Sequence, residues 1–220
     1  MKKYVPTYTG NLRGHGLTLP HCISECSGIR VFGRRIKSLA FSTDVAIIKN
    51  INSDAIIAVY PFTPQPSISQ AIISVSNVPV FVGVGGGITT GLRSVRLAIE
   101  AEQQGAYGVV LNMPTENSVI RDIKAHVDIP VIITVVSPHT DVRGRIEAGA
   151  DFLNVSGAAR TPEIVAEIRR DFPLVPIIAT GGPTEESIRA TIQAGANAIT
   201  YTPPTTGALF AQIMDSYRAE

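Results

Sequence analysis

The chain has no tryptophan and only two cysteines, Cys22 and Cys26. Two thiols cannot build a disulfide framework, and the second cysteine pair of many zinc sites is missing. His15 and His21 lie nearby, but the spacing matches no standard finger, so no metal is expected. An excess of one charge is also lacking. Nineteen basic and 18 acidic side chains leave +1 with no basic stripe, which gives no footprint for nucleic acid. The longest apolar runs, Ala55–Tyr60 and Pro130–Val136, are too short to cross a bilayer, so no membrane partner is expected. The opening MKKYVPTYTGNLRGHG has two lysines but no apolar segment, so no signal peptide is read and a cytoplasmic protein is expected. P-loop, HExxH and GxSxG motifs are all absent.

What the sequence does have is repetition. Val78-Pro79-Val80-Phe81-Val82-Gly83-Val84 leads on to Gly105-Ala106-Tyr107-Gly108-Val109-Val110-Leu111-Asn112. Ile129-Pro130-Val131-Ile132-Ile133-Thr134-Val135 leads to Gly149-Ala150-Asp151-Phe152-Leu153-Asn154, and Val175-Pro176-Ile177-Ile178-Ala179-Thr180 to Gly195-Ala196-Asn197-Ala198-Ile199-Thr200. A weaker copy ends in Ser53-Asp54-Ala55-Ile56-Ile57-Ala58-Val59-Tyr60. Short β-branched runs are strands buried on both faces, as in a parallel sheet. A proline at the first residue removes no ladder bond that the strand needs. Between the runs lie helical patterns, such as Val95, Leu97, Ala98 and Ile99 with Arg93, Arg96 and Glu100 left for solvent. The glycine after each helix suits a C′ residue of positive φ. Each repeat is thus strand, helix, strand.

Eight strands are predicted, at Ile36–Phe41, Ala55–Tyr60, Val80–Val84, Gly108–Asn112, Val131–Val136, Phe152–Val155, Ile177–Thr180 and Ala198–Thr202. Helices are predicted near Thr43–Lys49, Ser67–Val75, Thr90–Gln104, Glu116–Ala125, Thr140–Ala148, Pro162–Asp171, Thr184–Ala194 and Gly207–Arg218. Eight such units in 220 residues, 45% of them hydrophobic, point to one (β/α)8 TIM barrel over residues 35–220, the alternative being an open doubly wound sheet. Residues 1–34 form an irregular, glycine-rich N-terminal extension. A hairpin through Ile29–Phe32 and Gly33 is expected there, plugging the barrel's N-terminal end or joining two subunits in a homo-oligomer.

Barrel chemistry sits on the loops after the strands. Gly181-Gly182 follows the seventh strand and Thr180, and Pro183-Thr184-Glu185 then opens a helix. Paired glycines admit a ligand close to the backbone, and a helix N-terminus suits an anion. Thr202-Pro203-Pro204-Thr205-Thr206-Gly207 follows the eighth strand, and loops seven and eight are the usual phosphate site. Gly85-Gly86-Gly87-Ile88-Thr89-Thr90 after the third strand reads as a second anion site or a close ligand approach.

Val82-Gly83-Val84-Gly85-Gly86-Gly87-Ile88 together with Ala179-Thr180-Gly181-Gly182 resembles the ribulose-phosphate-binding barrel superfamily. Its members include phosphoribosyl isomerases and cyclases, pentose-phosphate epimerases and keto-deoxy-phosphogluconate aldolases. The resemblance covers roughly residues 35–215 and implies a phosphorylated small-molecule ligand. It also exposes two departures. The isomerases carry aspartates in strands one and five, whereas Ile36-Lys37-Ser38-Leu39-Ala40-Phe41 and Ile132-Ile133-Thr134-Val135-Val136 contain no carboxylate. The aldolases use a mid-barrel Schiff-base lysine, and strands four to six have none, which leaves only Lys37.

The candidate catalytic residues are therefore Lys37, Asp44 after strand one, and His139 in Ser137-Pro138-His139-Thr140-Asp141. Against these stand an interior lysine in a salt bridge, a first-turn helix acid and an exposed loop histidine. Tyr60, Asn112, Asn154, Tyr201 and Thr202 end strands and join the glycines as candidate ligand contacts. The expected function is an isomerase, epimerase or lyase acting on a phosphorylated sugar-like metabolite, with no cofactor. The alternatives are a metabolite sensor similar to glycerol-3-phosphate-responsive antiterminator barrels, or an FMN-binding barrel.

Overall fold

The structure is a computed structural model that describes residues 4–8, 10 and 16–219. Two short strands come first, β1 (Ile29–Val31) and β2 (Arg34–Ile36). The barrel strands are β3 (Ser38–Phe41), β4 (Ala55–Ala58), β5 (Val80–Gly85), β6 (Gly108–Leu111), β7 (Val131–Val135), β8 (Phe152–Val155), β9 (Ile177–Thr180) and β10 (Ala198–Tyr201). They close in the order β10-β3-β4-β5-β6-β7-β8-β9, every pair parallel. The helices alternate with them: α1 (Val45–Asn50), α2 (Pro66–Val75), α3 (Leu92–Gln103), α4 (Asn117–Lys124), α5 (Val142–Glu147), α6 (Thr161–Asp171), α7 (Glu185–Gln193) and α8 (Thr206–Ala219). The fold is a (β/α)8 barrel, and the open sheet is excluded by the β10–β3 pairing.

The repeat has a physical basis at the N-terminal ends of the strands. Pro79, Pro130 and Pro176 donate nothing there, but their carbonyls accept from Ile56, Val109 and Leu153 of the neighbouring strands. The polar residue after two of the Gly-Ala pairs also works on a neighbour. Asp151 Oδ2 accepts from the Val131 amide at 2.8 Å, and Asn197 Oδ1 accepts from the Ile177 amide at 2.9 Å. Asp54 does the same for the Lys37 amide at 2.8 Å. The repeated glycines Gly105, Gly149 and Gly195 have φ of 92°, 105° and 112°, which no other residue adopts without strain.

One buried residue set draws Leu39, Ile57, Phe81, Val110, Ile132, Phe152, Ile178 and Ala198 from the eight barrel strands. These side chains fill the barrel interior. Strand alternation sends Thr134, Asn154, Thr180 and Thr200, each two residues on, to the same side and nearer the C-terminal mouth. Ile29, Val31 and Ile36 of the β1–β2 hairpin belong to the same interior set, so the hairpin plugs the N-terminal end. The first predicted strand, Ile36–Phe41, is thus corrected. Ile36 pairs with Ile29 in the hairpin, the Lys37 amide is taken by Asp54, and the barrel strand starts at Ser38.

The extension also fills a position on the outside of the barrel. Cys22 and Ile23 in a 3-10 turn (His21–Glu25), followed by Cys26, are buried together with Ala40 of β3, Ile48 of α1, Ile188 of α7 and Ile199 of β10. Leu17 exchanges backbone hydrogen bonds with Asn50 and Asn52 beyond α1, and Asn197 Nδ2 donates to Ser27 Oγ at 2.9 Å. Residues 17–27 therefore strap the seam between α1 and α7, the place an eighth helix takes in a regular barrel. In keeping with that, α8 buries none of its residues and leaves Phe210, Ile213, Met214 and Tyr217 exposed.

Candidate functional site

The proposed catalytic trio does not converge. Lys37 precedes β3 at the plugged end, where its Nζ donates to the Ser24 carbonyl. That is the end of the barrel opposite the mouth, so Lys37 is corrected from a candidate Schiff-base former to an anchor of the strap. Asp44 does lie at the mouth, but as the N-cap of α1. Its Oδ1 accepts from the Ala46 and Ile47 amides at 2.9 and 3.2 Å, and its Oδ2 accepts from the Thr206 hydroxyl. The Thr206 hydrogen bond, with the two amides, holds the carboxyl below the usual carboxylate range. An ionised, fully engaged cap is a poor general base. His139 is exposed on the loop after β7, and Asp141 beside it caps α5 through Gly144 N at 2.9 Å.

That loop borders a cavity of about 520 Å³ shared with the loop after β6. Arg145 crosses its wall, donating to the carbonyls of Met113 (2.8 Å) and Thr115 and to Asn117 Oδ1 (2.9 Å). Partial burial holds the guanidinium below its ordinary value. Arg145 thus ties two mouth loops together through three of its five N–H donors.

The glycines divide by role. A Cβ on Gly85 would stand 2.1 Å from Ser94 Oγ and 2.8 Å from the Thr89 carbonyl, and one on Gly86 would meet Asn112 Cβ at 2.4 Å. Gly86 N donates to Thr89 O at 2.8 Å, which closes a tight turn. These two glycines are explained by the close approach of backbone and neighbours, without an anion. Gly87 has no neighbour within 4 Å of a Cβ position and faces open space. Together with Tyr60, Phe62, Ile88 and Asn112 it borders a cavity of about 340 Å³. The Tyr60 hydroxyl oxygen accepts from Gln65 N at 2.7 Å, which fixes the ring and leaves the O–H to donate.

A larger cavity of about 620 Å³ lies between the loops after β8 and β9. Its lining includes Ser156, Ala158, Ala159, Thr180, Gly182 and Ser187, with the Ser187 hydroxyl donating to the Thr184 carbonyl at 2.7 Å. Ala158 has φ of 52°, a left-handed conformation that costs an L-residue roughly 1–2 kcal/mol. The amides of Ala158, Ala159 and Gly182 find no acceptor among the described residues. Successive free N–H groups around a left-handed residue have the backbone geometry of an anion nest. Thr180 Oγ1 lies 3.4 Å from Thr161 Oγ1 and 3.3 Å from the Val155 carbonyl, which links the two loops. The cavity lies on the β8 side of Gly181-Gly182, whereas the sequence pointed to the β10 side. The β10 side offers fewer backbone donors, because Pro203 and Pro204 have no N–H, and Thr205 Oγ1 there accepts from Ala208 N at 3.1 Å as the cap of α8. At the α7 N-terminus the reciprocal Thr184–Ser187 capping box takes up two of the backbone amides. Gly181 itself packs, since its Cβ would stand 2.7 Å from Ile188 Cγ1 and 2.9 Å from Ile199 Cγ2.

Toward the mouth, the interior carries polar atoms with no partner. Asn154, 9% exposed, donates through Nδ2 to Thr134 Oγ1 at 3.4 Å, and its Oδ1 accepts nothing. Thr200, 5% exposed, has an unpartnered Oγ1. Buried orphans of this kind are rare and call for a partner. Tyr201 faces away from this layer and packs against the outer core, so it is corrected from ligand contact to packing residue. Thr202 is exposed beyond β10. His15 lies outside the described residues, Cys22 and Cys26 are buried free thiols, and His21 is exposed.

Thr134, Ser156, Ala158, Ala159 and Thr200 were not singled out from the sequence. The threonines could have been found by counting two residues on from each interior position. Nothing in Gly157-Ala158-Ala159 signals a left-handed alanine.

No protein-family model matches the chain. The thiamine-phosphate synthase of Geobacillus thermodenitrificans (strain NG80-2) is 35% identical over 77 residues, 29% of this chain and 35% of that protein. The chain thus matches only about a third of that relative's length. Solved structures match along most of the chain. A phosphonopyruvate hydrolase complex with oxalate and Mg++ gives a TM-score of 0.65 at 16% identity, covering 86% of this chain and 83% of that one. Phosphoenolpyruvate phosphomutase from Streptomyces platensis subsp. rosaceus gives 0.62 at 14%, covering 82% and 80%. Mandelate oxidase with (S)-2-phenylpropionate gives 0.60 at 15%, covering 80% and 68%. A hydrolase, a mutase and an oxidase at such identities share the fold alone.

Proposed function

We propose that this barrel binds a phosphorylated small molecule at its C-terminal mouth. The phosphate sits in the cavity between the loops after β8 and β9. The observation that carries this reading is the nest itself: free amides at Ala158, Ala159 and Gly182 beside the hydroxyl of Ser156. Donors without carboxylates suit a dianion. The names of the thiamine-phosphate synthase and the phosphomutase support a phosphorylated ligand. In the catalytic form of the reading, an isomerase or lyase, His139 is the mouth residue left to move a proton, since Lys37 faces the other end and Asp44 is a cap.

A second reading, a sensor that binds without turnover, is favoured by one observation. The mouth-facing layer of Thr134, Asn154, Thr180 and Thr200 has no ionisable side chain. Calorimetric titration with phosphate and phosphate esters tests the shared premise, and Ala158→Pro is the variant to compare. It removes one nest amide and is incompatible with positive φ. At least tenfold weaker phosphate binding is expected, with the fold intact by circular dichroism. Unchanged affinity removes the nest from the reading. Turnover of any bound ester that is lost in His139→Ala separates the enzyme from the sensor.

A further inference from the structure

The mouth is built in two unlike halves. From β3 to β7, each strand end or following loop presents one large exposed apolar side chain: Phe41, Phe62, Ile88, Met113 and Val136 in turn. Ile88 is 87% exposed and Phe62 73%. The loops after β8, β9 and β10 present none among the described residues. Single exposed apolar residues are ordinary, but Phe62 and Ile88 border one cavity of the mouth and Met113 and Val136 another, and apolar residues grouped in this way mark binding surfaces. Phe41 and Val136 follow the interior positions Leu39 and Thr134 by two residues, so alternation aims both inward. Between the halves lie the unpartnered Asn154 Oδ1 and Thr200 Oγ1.

We infer that the ligand is a phosphate ester with an extended apolar body, a ring system or hydrocarbon, rather than a short polyol phosphate. The inference rests on the phosphate reading given above. In the closed ring β5 and β9 stand four places apart, so the Gly87–Ile88 loop faces the Gly181-Gly182 loop across the opening. Eight tilted strands at sheet spacing make that opening roughly 15 Å wide. A phosphate in the nest leaves the ligand's other end on the apolar half, beside Phe62 and Ile88. On the way it passes Asn154 and Thr200, which can hold one or two hydroxyl or amine groups. A short polyol phosphate would reach those two residues and leave the apolar half wet.

The test titrates the full chain with inorganic phosphate, glycerol 3-phosphate and 1-naphthyl phosphate, with a Phe62→Ser/Ile88→Ser double variant alongside. Both positions are exposed, so the variant folds. Naphthyl phosphate is expected to bind at least tenfold more tightly than glycerol 3-phosphate. The double variant should lose that preference and keep its affinity for inorganic phosphate. Equal affinities for the two esters, or a preference that survives in the double variant, overturn the inference and leave the phosphate reading standing. If none of the three binds, both fall.

Discussion

Asn154 and Thr134 face each other across β8 and β7, and the amide uses its nitrogen on the hydroxyl while its oxygen accepts nothing. A buried polar atom left unpaired costs about 1–3 kcal/mol. Asn154→Leu removes it while keeping the branched shape of the side chain. The variant should therefore be as stable as the wild type or up to about 1 kcal/mol more stable, and bind phosphate esters at least tenfold more weakly. Thermal unfolding with and without ester reads both effects. A less stable variant that still binds normally would show that the amide serves the fold.

Lys37 is bonded to the strap at the plugged end. Lys37→Met should leave ester affinity unchanged while lowering stability by about 1 kcal/mol through the lost charge-assisted hydrogen bond. Borohydride should trap no adduct with a carbonyl substrate at this position. A trapped adduct on Lys37, found by peptide mass, would contradict the placement.

Cys22 and Cys26 report on the strap. Burial raises both thiols, and Cys26 is pushed up to about 11. Near pH 8 almost no Cys26 thiolate exists, and no path leads a reagent to it. Native protein should react with an aromatic disulfide only at the rate of local opening, and both thiols should react at once in denaturant. Rapid labelling of two thiols in native protein would mean that residues 17–27 are not docked.

Glycine substitutions separate packing from access. Gly181→Ala forces a methyl against Ile188 and Ile199, and overpacking of this kind costs typically 1–3 kcal/mol. Gly87→Ala meets nothing, but its φ of 68° costs an L-residue roughly 1–2 kcal/mol. Denaturation midpoints should show loss in both. At Gly87→Glu, which is open to the mouth, ester affinity should fall as well.

Asp44 gives an acid-side prediction. Its folded pKa is lowered, chiefly by Thr206, so its contribution is complete above the unfolded value of ~3.9 and is lost as pH falls through the folded value. Asp44→Ala should cost about 1 kcal/mol at neutral pH, the usual worth of an N-cap. Urea midpoints of wild type and variant should converge below about pH 4. A gap that stays constant into acid would assign the loss to packing.

The barrel was legible because repetition carries it. The Gly-Ala-[Asp/Asn] residues and the strand-start prolines hold the N-terminal ends together, and they recur at fixed offsets. Strand and helix limits fell within two residues of those predicted, apart from Ile36 and Lys37 at the hairpin junction. The site was less legible. Gly85, Gly86 and Gly181 read as ligand loops, but the atoms that forbid a Cβ belong to Ser94, Asn112, Ile188 and Ile199, which are distant in sequence or unmarked by any motif. Asp44 looks the same in sequence whether it caps a helix or moves a proton. The nest at Ala158 depends on a backbone angle that alanine does not announce.

The hydrogen bond between Ser27 and Asn197 spans 170 residues of chain. The strap is made before the barrel, yet its partners on α7 and β10 come only near the barrel's end. Until they arrive, Cys22, Ile23 and Cys26 have only β3 and α1 to cover, and β3 has no β10 to pair with. Sealing the ring and seating the strap thus become one late event of high sequence separation, a topology that folds slowly. A growing chain carries this half-covered apolar segment until α7 and β10 are made, and transiently exposed apolar surface of that kind is what chaperones bind.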